Sequence, residues 1–368
     1  MSTDREIVII GAGPAGLATA IGLRRSGHEV VVLDRRRPPI DKACGEGLMP
    51  DGLRILRELG VLTGAELGVP FHGICYIDDA LRAEARFRAG FGLGVRRTNL
   101  QQAMVHRARE VGVEMIFECV VRGLDHHEVV TDRGPFRCRW IVGADGLHSR
   151  VRKWAGLASD AARFRRFGVR RHYAASPWTD LVEVHWARGC EAYVTPVSDD
   201  EVGVAFLWSG FKSDFDGLLT HFPELAGRLG RASAVSTDRG AAQLEQRTRG
   251  VCRGHIALVG DAAGYRDAIT GEGVSMAFHQ AIALADAIDK GDLRAYERSA
   301  RRLERLPNAL IRILLEIEAR PRLRRRLIHT LAADPALFER LLSIHTREAS
   351  PYSLRPGGLA RLAKGLLH

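Results

Sequence analysis

Three glycine- and acid-bearing runs in this chain have the residue types and spacing that bind a nucleotide. The first is Gly11-Ala12-Gly13-Pro14-Ala15-Gly16, followed by Asp34. The second is Ala144-Asp145-Gly146 with Ser149, and the third is Gly260-Asp261-Ala262-Ala263, followed by Gly271-Glu272-Gly273-Val274. In the first run Gly11 permits a tight turn, Gly13 lets the backbone approach a pyrophosphate with no Cβ in the way, and Gly16 lets a helix pack closely on a strand. The N-terminus of that helix, beginning at Pro14-Ala15, turns free N–H groups and its positive dipole end toward an anion. Asp34 is spaced to accept hydrogen bonds from both hydroxyls of an adenosine ribose. A fourth run, Cys44-Gly45-Glu46-Gly47, alternates glycines in a way that lets the chain pass close to a flat ligand. Cys44 reads either as a redox-active thiol or as a buried packing thiol.

The elements that must hold these runs are legible around them. Ile7-Val8-Ile9-Ile10 reads as a strand buried on both faces of a parallel sheet, Leu17, Ala20, Ile21 and Leu23 have helical spacing, and Val30-Val31-Val32-Leu33 is a second buried strand ending on Asp34. Arg35-Arg36-Arg37-Pro38-Pro39 ends that strand, as a basic rim for an adenine dinucleotide or, alternatively, as a 2′-phosphate site. Leu53, Leu56 and Leu59 mark a helix closed by Gly60, residues 73–77 and 81–87 alternate as a hairpin of a second, antiparallel layer, and Arg96 to Gln101 begins a helix that runs through Ala108. Residues 113–121 are expected as one strand, with 129–132, 136–139 and 140–146 following as separate strands. Asp145 then stands at a buried strand tip, where Ser149 and two arginines fit either a ligand loop or a plain strand-to-helix turn with a serine cap. Ile256 to Val259 delivers Gly260-Asp261 in the same way, and Gly271 and Gly273 open a helix whose Ala277, Ala281 and Ala285 permit close packing.

With 368 residues the chain has room for two or three domains, and its 46% hydrophobic and 27% charged content is that of a soluble globular protein. No apolar run approaches the roughly eighteen residues that span a bilayer. The start of the chain lacks a basic-then-apolar leader, and the six cysteines Cys44, Cys75, Cys119, Cys138, Cys190 and Cys252 lie far apart, without C-x-x-C or metal spacing. The expectation is a cytoplasmic protein with free thiols and no metal site. From Gly291 onward sixteen Lys or Arg face eight Asp or Glu, so eight of the ten net positive charges lie in the last fifth of the chain. The body is nearly neutral, which argues against nucleic acid as a partner. There is no repeat or linker, so the domains are expected to interleave.

In order and spacing the three runs resemble the FAD-dependent monooxygenases of the para-hydroxybenzoate hydroxylase type and the geranylgeranyl reductase branch of the same fold, over about residues 5 to 290. The resemblance implies an α/β protein. A Rossmann-type FAD-binding domain of the glutathione-reductase-like variant (residues 1–72, 96–160 and 250–290) would interleave with an antiparallel β-sheet substrate domain (73–95 and 161–249), followed by a C-terminal helical basic region (291–368). It implies that Gly11, Gly13, Pro14, Ala15 and Gly16 hold the FAD pyrophosphate and that Asp34 and Arg35 serve the adenosine end. Arg97 and Gln101 would lie along the dinucleotide, and Val121 would contact adenine through its backbone. Cys44 and Gly45 would lie beside the flavin, whose ribityl and isoalloxazine parts fall to Asp261, Gly271, Gly273 and Val274. Asp145 with Gly146 resembles the pair that serves both FAD and NAD(P)H. The activity implied is oxygen insertion into a small aromatic or lipophilic substrate by a flavin hydroperoxide, with NAD(P)H as a transient reductant. The reductase branch implies instead reduction of prenyl double bonds. Cys44-Gly45-Glu46-Gly47 and Gly271-Glu272-Gly273 look more like the reductases, and Asp145-Gly146-Leu147-His148-Ser149 more like the hydroxylases. No W-x-W-x-I-P run is present, which leaves halogenation a weaker alternative and a non-catalytic flavoprotein weaker still.

Residues 164–250 read as the substrate layer, with three adjacent antiparallel strands at 181–186, 192–196 and 201–208 and a turn at Ser198-Asp199-Asp200. His185 and Tyr193 are candidate proton partners for an apolar or aromatic substrate, or else core residues. Beyond Leu293, Leu303, Leu306, Leu310, Ile313, Leu314 and Ile317 share a helical face, and Pro307, Pro321, Pro335 and Pro351 are expected to divide the region into short helices. The region reads as a cap on the sheet or as a peripheral contact with an anionic membrane. Leu359, Leu362, Leu366 and Leu367, after a flexible Pro356-Gly357-Gly358 break, are expected to pack on their own molecule or on a second subunit, giving a monomer or a homodimer.

Overall fold

The β-branched run at the N-terminus lies in the middle of a sheet, as apolar residues on both of its faces require. In this computed structural model, which describes residues 3–61, 67–159, 166–354 and 356–367, Thr3–Ile10 pairs in parallel with Val30–Asp34 on one side and Gly134–Gly143 on the other. Glu114–Phe117 and Ile256–Leu258 extend the parallel core outward. Ile7, Val8 and Ile9 have no exposed surface. The register levels the carboxyl ends: Ile10 stands opposite Leu33 and Gly143, and Gly143 opposite Leu258. All three glycine- and acid-bearing runs therefore emerge side by side at one edge, where ligands bind in open parallel sheets. Helix Pro14–Arg25 follows the first strand and lies against helix Gly273–Asp289, where a Cβ on Gly22 would come 3.3 Å from that of Ala285.

Two strand boundaries differ from the sequence reading. Residues 113–121 do not form one strand, because Glu118 takes a left-handed φ of 56° and Cys119 N–H turns to the carbonyl of Asp34 at 3.0 Å. The chain leaves the parallel sheet there and forms a hairpin of Val121–Asp125 with Glu128–Thr131. In contrast, residues 136–139 and 140–143 belong to a single strand, Gly134–Gly143.

The second sheet has seven strands in the order Arg239–Ala242, Arg166–Ala174, Glu201–Ser209, Cys190–Ser198, Val182–Ala187, Gly73–Asp78 and Leu81–Arg86. It is antiparallel except where Val182–Ala187 meets Gly73–Asp78. A small third sheet of Gly47–Leu48, Gly92–Gly94 and Val69–Phe71, not foreseen, wedges beside it. Its glycines allow backbone to touch backbone, since a Cβ on Gly94 would sit 1.7 Å from the carbonyl oxygen of Pro196.

The C-terminal region is helical, but Pro307 does not divide it. Leu293–Glu318 is one helix of 26 residues with Pro307 inside. The lost hydrogen bond and ring clash cost about 3 kcal/mol. Burial of Leu293, Tyr296, Ala300, Ile311 and Ile317 along one side offsets that, and Tyr296 also donates to the Leu258 carbonyl at 2.6 Å. Pro321, Pro335 and Pro356 instead open the helices Pro321–Ala333, Pro335–His345 and Pro356–Leu367, so Pro356-Gly357-Gly358 starts the last helix rather than forming a break before it. That helix lies on Pro321–Ala333: Arg326 donates to the Leu366 carbonyl at 3.2 Å, and Gly365 faces Thr330 with no room for a Cβ. The side chains of Leu359 and Leu367 lie outside the described residues. No described helix is long and apolar enough to cross a membrane.

One buried ion pair ties the helices to the second sheet. Arg324 donates to both carboxylate oxygens of Asp78, at 3.0 and 3.2 Å, and to the Ala187 carbonyl at 3.0 Å. Removing one partner of such a pair leaves an uncompensated buried charge. Arg324→Ala is expected to lower unfolding free energy by about 3 kcal/mol or more. Arg324→Leu with Asp78→Leu should recover most of that loss, with urea midpoints as the measurement.

Candidate active site

The level strand tips open into one cavity of about 1260 Å³. Its wall contains Gly11, Gly13, Pro14, Ala15, Asp34, Arg35, Cys44, Gly45, Arg97, Gln101, Val121, Asp145, Gly146, Asp261, Gly271, Gly273 and Val274. Of the residues expected at the cofactor only Gly16 is absent from that wall. A Cβ there would lie 2.0 Å from the Gly11 carbonyl oxygen, so its role is close helix–strand packing. Gly11, at φ 115°, is held equally tightly, with a Cβ falling 2.3 Å from the Ala144 oxygen. Gly13 is different in kind: a Cβ would meet only Arg97 Nη2, at 3.7 Å, and would otherwise project into the cavity. The space in front of Gly13 is thus reserved for something other than protein.

The charges around that space suit a dinucleotide diphosphate. Asp34 accepts from the backbone N–H groups of Ala12 at 2.8 Å and Arg36 at 2.9 Å, which aim its carboxylate and leave lone pairs for ribose hydroxyls. Lys42, a residue the sequence reading passed over, projects into the cavity near Asp34, Asp261 and Arg97. Among the described residues no hydrogen bond or ion pair engages its amine. Burial, then the neighbouring Arg97 guanidinium, holds the Lys42 pKa below its ordinary value. The available signal was its isolation, since no other lysine occurs before Lys153 in an arginine-rich chain. Burial raises the Asp261 carboxyl, opposed by Lys42, Arg97 and Arg152. These residues fit FAD: an open glycine at a helix N-terminus, two nearby cations, an oriented acid for ribose and a second acid for the ribityl chain.

Two of the expected ligands, Gln101 and Asp145, also brace the protein. Gln101 is fully buried, donates to the Ala12 carbonyl at 2.9 Å and accepts from Ile40 N–H at 2.6 Å, so its amide fixes the phosphate loop. Asp145 accepts from Ser149 Oγ at 2.5 Å and from the N–H groups of Arg150 at 2.7 Å and Val151 at 3.2 Å. With Ser149 capping Arg152 N–H at 2.9 Å, the second run forms a helix start while Asp145 and Gly146 line the cavity.

The Cys44-Gly45-Glu46-Gly47 loop is fixed by Glu46, which the sequence reading did not single out. Glu46 sits at φ 59° and accepts from Arg97 N–H at 2.8 Å. Its other oxygen meets His172 Nε2. Arg170 donates to His172 Nδ1 at 3.0 Å, so the ring proton lies on Nε2 and is donated to Glu46. Thr195 Oγ1 donates to the Gly45 carbonyl at 2.8 Å from the second sheet. Cys44 lines the cavity, and burial raises its thiol pKa, the direction opposite to that of an activated thiolate.

The two substrate-side candidates separate by strand alternation. Val184 and Tyr193 are cross-strand partners, and both line the cavity. His185, one residue on, is buried on the other face, where it pairs with Glu183 at 3.0 Å and lies edge-on to Phe222. His185 is therefore not a substrate-side residue. Tyr193 donates to the Ile269 carbonyl at 3.0 Å. Beyond it the cavity continues between the second sheet and the C-terminal helices, among Leu310, Leu314, Leu327, Leu331, Leu342 and Leu362.

Gly13→Val is expected to fold with near-native stability as apoprotein yet purify without yellow FAD, because the side chain fills the reserved space. Gly16→Val, which strikes backbone, is expected to unfold or precipitate. Visible absorbance and thermal unfolding of the two variants separate the roles.

Residues 4–205 match the family described as FAD binding domain. The menaquinone reductase of Mycolicibacterium smegmatis is 26% identical over 330 residues, covering 80% of this chain and 79% of that protein. The 6-methylpretetramide 4-monooxygenase of Streptomyces rimosus is 27% identical over 340 residues, covering 81% and 78%. A flavoprotein/dehydrogenase from Cytophaga hutchinsonii superposes with a TM-score of 0.85 over 99% of both chains at 18% identity, a likeness of fold. With more than half of its length matched and a glycine, acid and cation arrangement that fits the cofactor, the chain belongs to the FAD binding domain family and is an FAD-dependent oxidoreductase.

Proposed function

We propose that this flavoprotein reduces a carbon–carbon double bond in a long, isoprenoid-type chain. The observation that carries this reading is the continuity of the cavity from the nucleotide crevice into an aliphatic chamber under the C-terminal helices. Ordinary ligand pockets span about 300–1,000 Å³. A cavity of about 1260 Å³ leaves length for a hydrocarbon chain beside FAD. The chamber wall is mostly leucine and isoleucine, with Phe71, Tyr76 and Phe338 among them and few polar groups, and its length suits a flexible hydrocarbon better than a small polar-edged aromatic. The menaquinone reductase relative supports the same choice.

Bound FAD supplies two-electron transfer. The chain's own residues then have separable tasks. Asp34, Gly13, Lys42 and Arg97 hold the nucleotide, the Glu46-pinned loop closes one wall against water, and the leucines of the chamber position the chain. Reduction of a double bond also needs one proton, and Tyr193, which lines the cavity, is the donor in this proposal. NAD(P)H serves in this proposal as a transient reductant at the same crevice, because the sequence carries one dinucleotide loop. Peripheral contact of the basic outer helix faces with an anionic membrane, from which such a substrate is drawn, belongs to the same proposal. Oxygen insertion, the first expectation from the sequence, is the second reading, and the Streptomyces monooxygenase relative favours it.

Oxygen dependence separates the two. Under strict anaerobiosis, dithionite-reduced holoenzyme is expected to add two hydrogen atoms to geranylgeraniol or menaquinone, read by mass spectrometry. Product that forms only with oxygen and carries an added oxygen atom would establish the second reading instead.

A further inference from the structure

Behind Tyr193 lies a polar cluster that neither the cofactor nor the cavity wall accounts for. Glu191 is two residues before Tyr193 on the same strand, fully buried and absent from the cavity wall. Its Oε2 lies 2.8 Å from Arg166 Nη2 and 3.3 Å from the Tyr193 hydroxyl, and its Oε1 is buried with no hydrogen-bond partner among the described residues. Arg166 is shared with two more buried acids, Asp267 at 3.2 Å and Glu318 at 3.9 Å. One guanidinium therefore faces three carboxyl groups. The other titratable or charged groups acting here are Tyr76, Cys190, Tyr265, Glu245 and Arg324; Glu245 is engaged with Arg247 and Arg324 with Asp78.

Hydrogen-bond geometry adds an independent constraint. A phenol has one proton, and of its two oxygen neighbours the Ile269 carbonyl, which can only accept, is the nearer at 3.0 Å against 3.3 Å for Glu191, so the Tyr193 proton goes to Ile269. The contact between Tyr193 oxygen and Glu191 is then a hydrogen bond only if Glu191 supplies the proton. Two carboxylates more than the single guanidinium can neutralise, in a buried site, favour the same protonated state.

We propose that Glu191 is a positioning residue that stores a proton for Tyr193, its neutral carboxyl donating to the phenol oxygen and restoring the phenol after proton transfer to substrate. This rests on the reading of the site as a double-bond reductase. The alkene π pair takes the Tyr193 proton at one carbon; bound FAD would supply the hydride equivalent that the other carbon needs. The phenolate then takes the Glu191 proton, which leaves a carboxylate beside Arg166 that solvent later reprotonates. Burial raises Glu191 to about 7, opposed by Arg166 and reinforced by Asp267 and Glu318, so the store is full below neutrality and empties above it.

Infrared spectroscopy of the holoenzyme tests the store without any substrate. Wild-type protein titrated from two units below to two units above neutrality should show a protonated-carboxyl band that fades with a midpoint near pH 7 and is missing from Glu191→Gln. Tyr193→Phe, which keeps the ring and the acid, should shift that band by removing its acceptor, and it serves equally if Glu191→Gln does not fold. A spectrum with no such band below neutrality, or a band indifferent to both variants, overturns the proposal. With geranylgeraniol as probe, Glu191→Gln should slow anaerobic reduction tenfold or more and flatten the alkaline fall of the wild-type rate. An unchanged rate and pH profile would overturn the relay. If wild-type enzyme reduces no probe, the reductase reading fails, and the infrared bands still decide whether Glu191 holds a proton for Tyr193.

Discussion

A buried guanidinium joins the two sides of the nucleotide crevice. Arg152 is 2% exposed, and its terminal nitrogens donate to the carbonyls of Asp261 and Ala262, each at 3.1 Å, and to Leu147 O and Gln246 Oε1, each at 2.8 Å. Taking that charge out of water costs several kcal/mol unless its donors are used, and here four acceptors use them. The geometry explains the spacing of the second run. Asp145 and Ser149 build a helix start, the helix start aims Arg152, and Arg152 seats the turn that carries Asp261. An acid that looks like a ligand thus acts on the site by fixing another acid in place.

The same device recurs wherever elements distant in sequence must meet. Glu46 pins the Cys-Gly-Glu-Gly loop through Arg97, His172 and Arg170, and Arg324 pins the C-terminal helices through Asp78. Each is a buried ion with its partners in place, and each borders apolar surface. The cavity keeps its length because these braces carry the polar load outside it, which leaves leucines and isoleucines to line the chamber. Arg166 is the exception, with more acid around it than it can neutralise. That imbalance sits next to the one phenol that pairs with the cavity-lining Val184.

Local pattern carried much of the architecture. Apolar continuity marked the parallel strands, glycine spacing marked the phosphate turn, and alternation marked the substrate strands, because each signal reports how a residue meets its immediate neighbours. Where the outcome depended on distant partners, the same patterns misled. Pro307 reads as a helix end, yet the helix continues because burial along its full length outweighs one lost hydrogen bond. Residues 113–121 read as one strand, yet the backbone turns at Glu118 to reach the Asp34 carbonyl. His185 and Tyr193 looked equivalent, and only sheet register, which flips the facing side with each residue, put one at the cavity and the other behind it.

By itself the sequence determined a dinucleotide-binding unit, the FAD-linked family to which its runs are similar, and most residues that wall the crevice, since turn geometry and close backbone approach are written in residue type. Tertiary structure alone decided which of those residues are braces and which face the ligand space. Gln101 and Asp145 spend hydrogen bonds on protein, whereas Lys42, unremarked in the sequence, has none among the described residues. It also decided the extent of the cavity, because the chamber exists only where helices from the end of the chain close over a sheet begun at residue 73. The physical reason is common to both: a side chain's chemistry is local, but whether its polar atoms are already satisfied depends on partners a hundred or more residues away.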